Sequence, residues 1–398
     1  MKRENWQSRQ VAIGDARYPY YFGHDCADRI ASELGRYDAD RFLVVTDDTV
    51  LGLHGQTLLT ELAAYAPVEV LTRPPGESMK SLSTLSSLLD RAIGAGASRR
   101  SVVVAFGGGV PGNLAGLLAG LLFRGVRLVH VPTTTVAAMD STLSLKQAVN
   151  SAHGKNHIGM YHTPDAVFTD VRFLQTLPDR ELRSGLCEAT KNCLAIRPGS
   201  APELRRVLTE GRLASPESLL WLLEESLTAK EQATVGDTKE QASGLVLEYG
   251  HTVGHAVELC DQRLGGAAPV SHGEAIAFGM LAAARMSAAI GGLGAEEVAL
   301  HDELVHALGA PTRLPPGLRV EDVMSVVRVD NKRGYLRIAE HEAAVVLLEE
   351  LGVPFGSRDC PLTAVDLDLV EEVLNGLSDP DQHRQHTALS GEALDVMV

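Results

Sequence analysis

Near residue 180 the spacing of apolar positions changes character. From about residue 10 to 180, short runs rich in Val, Leu and Phe alternate with stretches of helical period: "RFLVVTDD" at 41–48, "VEVLTRP" at 68–74, "SVVVAFGGG" at 101–109 and "RLVHVPTTT" at 127–135. Continuous apolar runs of this length, bounded by turn residues and followed by helical patterns, predict buried strands of a parallel sheet with crossover helices. After "LPDRE" at 177–181 the strand signal fades, and to about 375 the pattern is mainly long amphipathic helices, broken at "RPGSAPE" (197–203) and "RLPPGLR" (313–319). A hairpin is expected within "GYLRIAEHEAAVVLLEELG" at 334–352. The expected organisation is therefore an α/β domain over 1–180, a mainly α-helical domain over 181–376, and a polar, mobile tail over 377–398.

Composition narrows the function classes. A chain of 398 residues that is 45% hydrophobic and 22% charged builds a real globular core. Its formal charge of −15 repels a phosphate backbone, so no nucleic-acid partner is expected, and a phosphorylated small substrate needs a local positive pocket. The start, MKRENWQSRQ, lacks the apolar core of a signal peptide, and the longest apolar run, "LAGLLAGLLF" at 114–123, is half a membrane span. A cytoplasmic protein with no membrane association is expected. Five scattered cysteines without C-x-x-C spacing fit reduced core thiols.

In "SVVVAFGGGVPGNLAG", Gly107, Gly109 and Gly112 have G-x-G-x-x-G spacing between a strand and an apolar helix. Such glycines let backbone amides approach a pyrophosphate at a helix N-terminus, although the same spacing serves a tightly packed turn with no ligand. No acidic residue stands about 20 positions on to take the adenosine ribose. Asp47 closes an earlier strand; if that strand neighbours the glycine turn, Asp47 takes the ribose and favours NAD over NADP.

"EYGHTVGHAVELC" at 248–260 puts His251 and His255 on one helix face. Thr252 stands where the zinc-protease signature needs glutamate, so metalloprotease chemistry is not expected. A lone histidine here reads as a hydrogen-bonded core residue, but His272 opens another apolar helix and Glu188 lies in the apolar helical frame "GLCEATKN". A buried carboxylate is costly unless paired or metal-bound. Glu188, His251 and His272 form a three-ligand set with open positions, suited to zinc or cobalt. Asp140, Lys146, Lys155, Asn156, Lys191, Lys230, Lys332 and Arg333 stand near these segments and suggest a phosphate pocket, though lysines are ordinarily solvated surface groups.

Taken in order from Asp47 to Arg333, "TDDTV", "PGESMKS", "GGGVPGNLAG", "VPTTT", "DSTLSLKQAVN", "GKN", "FLQTLPDRE", "CEATKN", "EYGHTVGHAVE", "HGEAIAFGM" and "DNKRGY" resemble the sugar phosphate cyclases, the dehydroquinate synthase-like family. The resemblance implies an α/β N-terminal NAD-binding domain plus a mainly α-helical C-terminal metal-binding domain, and a homodimer. It implies Glu188, His251 and His272 as metal ligands, and Asp47, Glu77, Lys80, Gly108, Gly109, Asn113, Thr133, Thr134 and Lys155 as the NAD set. Asp140, Asn156, Lys191, Lys230 and Lys332 would bind substrate, with Lys146, Glu248 and His255 in catalytic roles and His255 a proton shuttle beside the metal.

Departures from the family pattern bear on substrate. Dehydroquinate synthase carries an arginine for its substrate's carboxylate and an asparagine near the phosphate; those positions are Gly244 and Glu248 here. Without a guanidinium the carboxylate loses its natural partner, so the implied substrate has none. The family's usual aspartate is Asn113 and its lysine–threonine pair is Lys146–Gln147. These features resemble the branch that closes D-glucose 6-phosphate into a deoxygenated inosose for aminoglycoside biosynthesis, eliminating phosphate while NAD is reduced and reoxidised. Glu248 is expected to face sugar hydroxyls or to pair with a lysine. A sedoheptulose 7-phosphate cyclase of the valiolone type, a metal-dependent polyol dehydrogenase and a non-catalytic NAD–metal module remain as alternatives.

Overall fold

The four apolar runs form four adjacent strands of a seven-stranded sheet, with the run at 68–74 on its edge. The structure, a computed structural model, describes residues 6–378 apart from 153, 267 and 268, and leaves out the side chains of residues 331 and 333. Of the mobile tail expected over 377–398, residues 379–398 lie outside the described residues, while Leu377 and Ser378 are buried. The strands are β1 (Trp6–Ile13), β2 (Ala16–Gly23), β3 (Phe42–Asp47), β4 (Val68–Arg73), β5 (Val102–Gly107), β6 (Arg127–Pro132), β7 (Lys146–Ser151), β8 (Gly154–Tyr161) and β9 (Ala166–Asp170). Sheet order is β1-β2-β9-β6-β5-β3-β4, parallel throughout except for the β1–β2 hairpin. β7 and β8 form a separate antiparallel ribbon.

Strand β5 shows why a continuous apolar run is needed at the sheet centre. Val102, Val104 and Phe106 enter one core layer, while Val103 and Ala105 enter the other. Alternate side chains point to opposite faces, and both faces are covered, so every position must be apolar. Helix α1 (Gly109–Leu121) follows directly and buries Leu114, Leu117 and Leu118 in the second layer. Each such leucine stabilises the layer by roughly 1.5–3 kcal/mol. Because β3 pairs directly with β5, Asp47 ends on the same sheet edge as the glycine turn.

By contacts, the first unit runs to Ala189 and takes back Glu210–Lys239. Helix α2 (Asp179–Ala195) therefore passes out of it, and α3 (Pro216–Ala233) returns to it. Arg9 of β1 donates to Thr228 Oγ1 at 2.8 Å and pairs with Glu231, which also accepts from the Ala12 amide at 2.8 Å.

The second unit is built around α4 (His251–Leu264), α5 (His272–Ala289) and α6 (Ala295–Ala307). It also contains β10 (Glu342–Val345), β11 (Leu348–Glu350), β12 (Val353–Pro354) and β13 (Thr363–Asp366). The hairpin expected within 334–352 does not form as such: β10 pairs with β13, and β11 pairs with β12. Val346 and Leu347, between β10 and β11, are buried at 2% and 0%, so that stretch is a core crossing rather than a solvent-facing turn. Among the described residues no helix is long and apolar enough to cross a membrane, and all five cysteines are free.

Candidate active site and metal centre

Helices α4 and α5 approach through glycines. A Cβ at Gly279 would stand 1.9 Å from the Gly250 carbonyl oxygen, and one at Gly254 would stand 2.9 Å from the Ala275 carbonyl oxygen. No larger residue permits that approach. Gly250 has φ +78, a left-handed turn that starts α4 at His251. Across the interface, Ser271 and Glu274 form a capping box that starts α5 at His272, an S-x-x-E signature legible in the sequence.

Both helix starts thus deliver an imidazole to one place. Ligand atoms of His251, His255 and His272 all lie within 4.8 Å of one another. A carbonyl oxygen only accepts, so His251 Nδ1 donates to Tyr249 O at 3.2 Å and leaves Nε2 as the lone-pair nitrogen. His272 Nδ1 lies 2.9 Å from Glu258 Oε2, which fixes the same tautomer. Two imidazoles oriented by a carbonyl and a carboxylate, beside a third, are the donor set of a divalent-cation site, so the residues present fit such an ion. Protein packed around His255, and the neighbouring His251, press its pKa down to about 3, against a raising effect of Glu248. The imidazole is therefore neutral at pH 7 while its edge remains solvent-accessible.

A second cluster adjoins this one. Glu248 Oε2 pairs with Lys332 Nζ at 3.3 Å, and Lys332, 1% exposed, also reaches both Asp330 carboxylate oxygens at 3.3 Å. Burial alone would raise the Glu248 pKa, but His251, Lys332, His255 and Lys191 outweigh it and hold the carboxyl well below its usual range. The expected pairing of Glu248 with a lysine is present. Lys191 and Glu188, one turn apart on α2, are each 2% exposed.

In the first unit, the glycine turn is shaped by contact. A Cβ at Gly107 would meet Pro111 Cγ at 2.7 Å and one at Gly108 would meet Thr134 Cγ2 at 3.0 Å, whereas Gly109 at the start of α1 faces open space. A hollow beside it is lined by Thr46, Asp47, Arg73, Gly76, Val110 and Pro111. Asp47 Oδ1 caps a short helix by accepting from Val50 N at 2.9 Å. Thr133 is buried, with its amide on Gly107 O at 3.0 Å, and Thr134 caps the next helix. Asn113 uses its amide on the backbone: Nδ2 donates to Gly109 O at 2.8 Å and Oδ1 accepts from Ala148 N at 2.7 Å.

Asn150 gathers the remaining residues. Its amide reaches Lys80 O at 2.9 Å, its Nδ2 donates to Glu77 Oε1 at 2.8 Å, and its Oδ1 accepts from Asn156 N at 2.9 Å. Lys80 Nζ donates to Asn156 Oδ1, and burial lowers the lysine pKa. Glu77, Lys80 and Asn156 are thus one network, while Lys146 and Lys155 are exposed on β7 and β8. Lys230, 4% exposed, pairs with Asp140 at 3.3 Å.

Sequence reasoning missed Glu258, Asn150 and Asp330. Glu258 was readable, because it stands seven residues after His251 and three after His255, on the same helix face. Asn150 and Asp330 carried no such signal, since their partners are set by the ribbon and by a tight turn.

Residues 70–184 match the 3-dehydroquinate synthase N-terminal model and residues 185–333 match the 3-dehydroquinate synthase C-terminal model. A 2-deoxy-scyllo-inosose synthase of Streptoalloteichus tenebrarius is 48% identical over 378 residues, covering 94% of this chain and 96% of that protein. A crystal structure of 2-deoxy-scyllo-inosose synthase complexed with carbaglucose-6-phosphate, NAD+ and Co2+ superposes with a TM-score of 0.84 at 35% identity, covering 92% of this chain and 99% of that one. The 2-epi-5-epi-valiolone synthase from Streptomyces hygroscopicus subsp. jinggangensis, with NAD+ and Zn2+ bound, shares the fold at TM-score 0.78 and 24% identity, covering 93% of this chain and 99% of that one.

Proposed function

The chain belongs to the 3-dehydroquinate synthase family of sugar phosphate cyclases, and from that premise we propose that it converts D-glucose 6-phosphate to 2-deoxy-scyllo-inosose and phosphate. The observation that carries this reading is the near full-length identity to 2-deoxy-scyllo-inosose synthases. The reaction is a carbon–oxygen lyase reaction with internal redox. C4 is oxidised, the C5 proton leaves, phosphate departs from C6, C4 is reduced, and the opened chain closes by aldol addition. Substrate atoms reappear in the two products with no net electron transfer. Such a carbocycle serves aminoglycoside biosynthesis. A cytoplasmic homodimer is part of the same reading.

NAD, when bound, supplies reversible hydride acceptance, and a divalent cation, cobalt or zinc, supplies polarisation of a sugar oxygen. Glu188, His251 and His272 hold the cation, with Glu258 keeping His272 in the tautomer that presents Nε2. Gly108 and Gly109 give backbone amides to the dinucleotide, and Asp47 takes its ribose. Glu77, Lys80, Asn113, Thr133, Thr134 and Lys155 complete that wall, Asn113 by holding the first turn of α1 to β7. Lys146 and Asn156 meet the phosphate, and Lys146 assists proton transfer. Asp140, Lys191, Lys230 and Lys332 orient sugar hydroxyls and phosphate. His255 serves as a proton shuttle beside the cation. Glu248, ionised beside Lys332, anchors sugar hydroxyls, and Gly244 leaves no guanidinium for a substrate carboxylate.

The test incubates metal-loaded protein with NAD and D-glucose 6-phosphate, following phosphate, NADH absorbance and product mass together. Phosphate release with a six-carbon carbocyclic ketone and no NADH accumulation is expected. Turnover of sedoheptulose 7-phosphate alone moves the assignment to a valiolone-type cyclase. Stoichiometric NADH with no phosphate makes the protein a dehydrogenase. Light scattering of the purified protein at twice the chain mass is expected for the dimer.

A further inference from the structure

Behind His251 lies a buried polar pair that no step above uses. Tyr249 and His301 are each 0% exposed, and the Tyr249 hydroxyl lies 2.9 Å from His301 Nε2. The other ring nitrogen, His301 Nδ1, lies 2.7 Å from the Glu297 carbonyl oxygen. A carbonyl oxygen only accepts, so Nδ1 carries the proton. Burial lowers the His301 pKa, which keeps the ring neutral and makes Nε2 an acceptor for the tyrosine proton. Every donor and acceptor in this chain of groups therefore has one assignment.

The chain ends at a proposed metal ligand. The Tyr249 carbonyl accepts from His251 Nδ1 at 3.2 Å, and the left-handed Gly250 between them allows the carbonyl to face that nitrogen. A free tyrosine carbonyl would rotate with its peptide. Here the ring is tethered to α6, whose first turn is itself fixed: Glu297 accepts from Gly294 N at 2.8 Å and from Leu351 N at 3.0 Å. We infer that Tyr249 and His301 are positioning residues, which hold the Tyr249 carbonyl against His251 Nδ1 and so present His251 Nε2 to the catalytic cation. This inference rests on the proposed metal centre and adds the device that orients one of its ligands.

The test uses the full chain and four variants: Tyr249→Phe, which removes one oxygen; His301→Phe; the double variant of these two; and His301→Gln, whose amide can both accept from the tyrosine and donate to the Glu297 carbonyl. Cobalt affinity is read by chelator competition, and the His251 tautomer is read by nitrogen-15 NMR of metal-free protein. Expected results are a roughly 10-fold weaker cobalt Kd in Tyr249→Phe and His301→Phe, the scale of losing an outer partner of a metal ligand. The double variant loses no more than either alone, and His301→Gln recovers most of the affinity. In metal-free Tyr249→Phe, the single Nδ1-protonated form of His251 gives way to mixed tautomers. Wild-type cobalt affinity together with an unchanged His251 tautomer in Tyr249→Phe overturns the inference, even if thermal stability drops. Should His301→Phe not fold, Tyr249→Phe decides alone. Wild-type protein that holds the Nδ1-protonated tautomer but binds no cobalt overturns the metal-centre reading and leaves the positioning role supported.

Discussion

Glu258 Oε2 sits 2.9 Å from His272 Nδ1, so a carboxylate on α4 orients an imidazole on α5. Glu258 is 8% exposed, and its second oxygen accepts from Gln262 at 3.1 Å, which holds the carboxylate in place. The arrangement makes His272 more basic at Nε2 and restricts its rotation.

Glu258→Gln is expected to fold and to weaken divalent-cation binding by about 10–100-fold, the range for outer partners of metal-bound histidines. Chelator competition with cobalt on the purified variant checks this. Unchanged affinity would remove Glu258 from the metal centre.

The helix crossing supplies a second prediction. Gly279→Ala places a methyl 1.9 Å from Gly250 O and 2.8 Å from Gly254 N, both backbone atoms that no rotamer change can move. Helices α4 and α5 must separate, at a cost of about 1–3 kcal/mol or more for overpacking. Cation binding is expected to fall with stability, because the crossing sets the His251–His272 spacing. Gly376→Ala, where an added methyl meets nothing within 4 Å, serves as the control. Denaturant midpoints of the two variants should therefore diverge.

These two sites show what the sequence carried. Buried parallel strands were legible because both faces of β5 need apolar side chains, and His272 was legible as the opening of an apolar helix, which is the first residue of α5. The condition on Asp47, that its strand neighbours the glycine turn, is met by the β3–β5 pairing. Strand partners were another matter: β10 was readable as a strand, but its pairing with Thr363–Asp366 depends on chain beyond the local pattern. Hydrogen-bond partners set by tertiary placement, such as Asn150 with Glu77, leave no periodicity to read.

Glu248→Gln tests the substrate-facing wall. The variant removes the charge that pairs with Lys332, but Asp330 still holds that lysine at 3.3 Å, so folding survives. NAD and cation binding are expected to persist while turnover of D-glucose 6-phosphate falls at least about 100-fold, the lower scale for losing an acid/base or charged anchoring group. Full activity in this variant would sink the assigned role. The folded-state pKa of Glu248 lies below its unfolded value, held there against burial by His251 first and then Lys332, so these interactions contribute stability above about pH 4.5 that is lost as pH falls. Wild type should lose more stability than Glu248→Gln on acidification below pH 4.5.

A buried histidine of the sheet is expected to contribute to acid sensitivity at milder pH. His130, on β6 and 4% exposed, has its pKa pressed from 6.5 to about 4 by burial and secondarily by His162. The native state keeps this ring neutral where the unfolded chain protonates it. Below pH 6.5 the unfolded state therefore binds more protons, and stability is lost as pH falls from 6.5 towards about 4. A pKa difference of that size corresponds to roughly 3 kcal/mol across the window. His130 Nε2 makes no hydrogen bond among the described residues, so replacing the ring with an apolar side chain breaks none at that atom. His130→Leu is thus expected to match wild type near pH 7.5 and to exceed it at pH 5, in denaturant melts taken at both values. Parallel pH dependence in the two proteins would place the acid sensitivity in other histidines whose pKa burial lowers, such as His54 and His301.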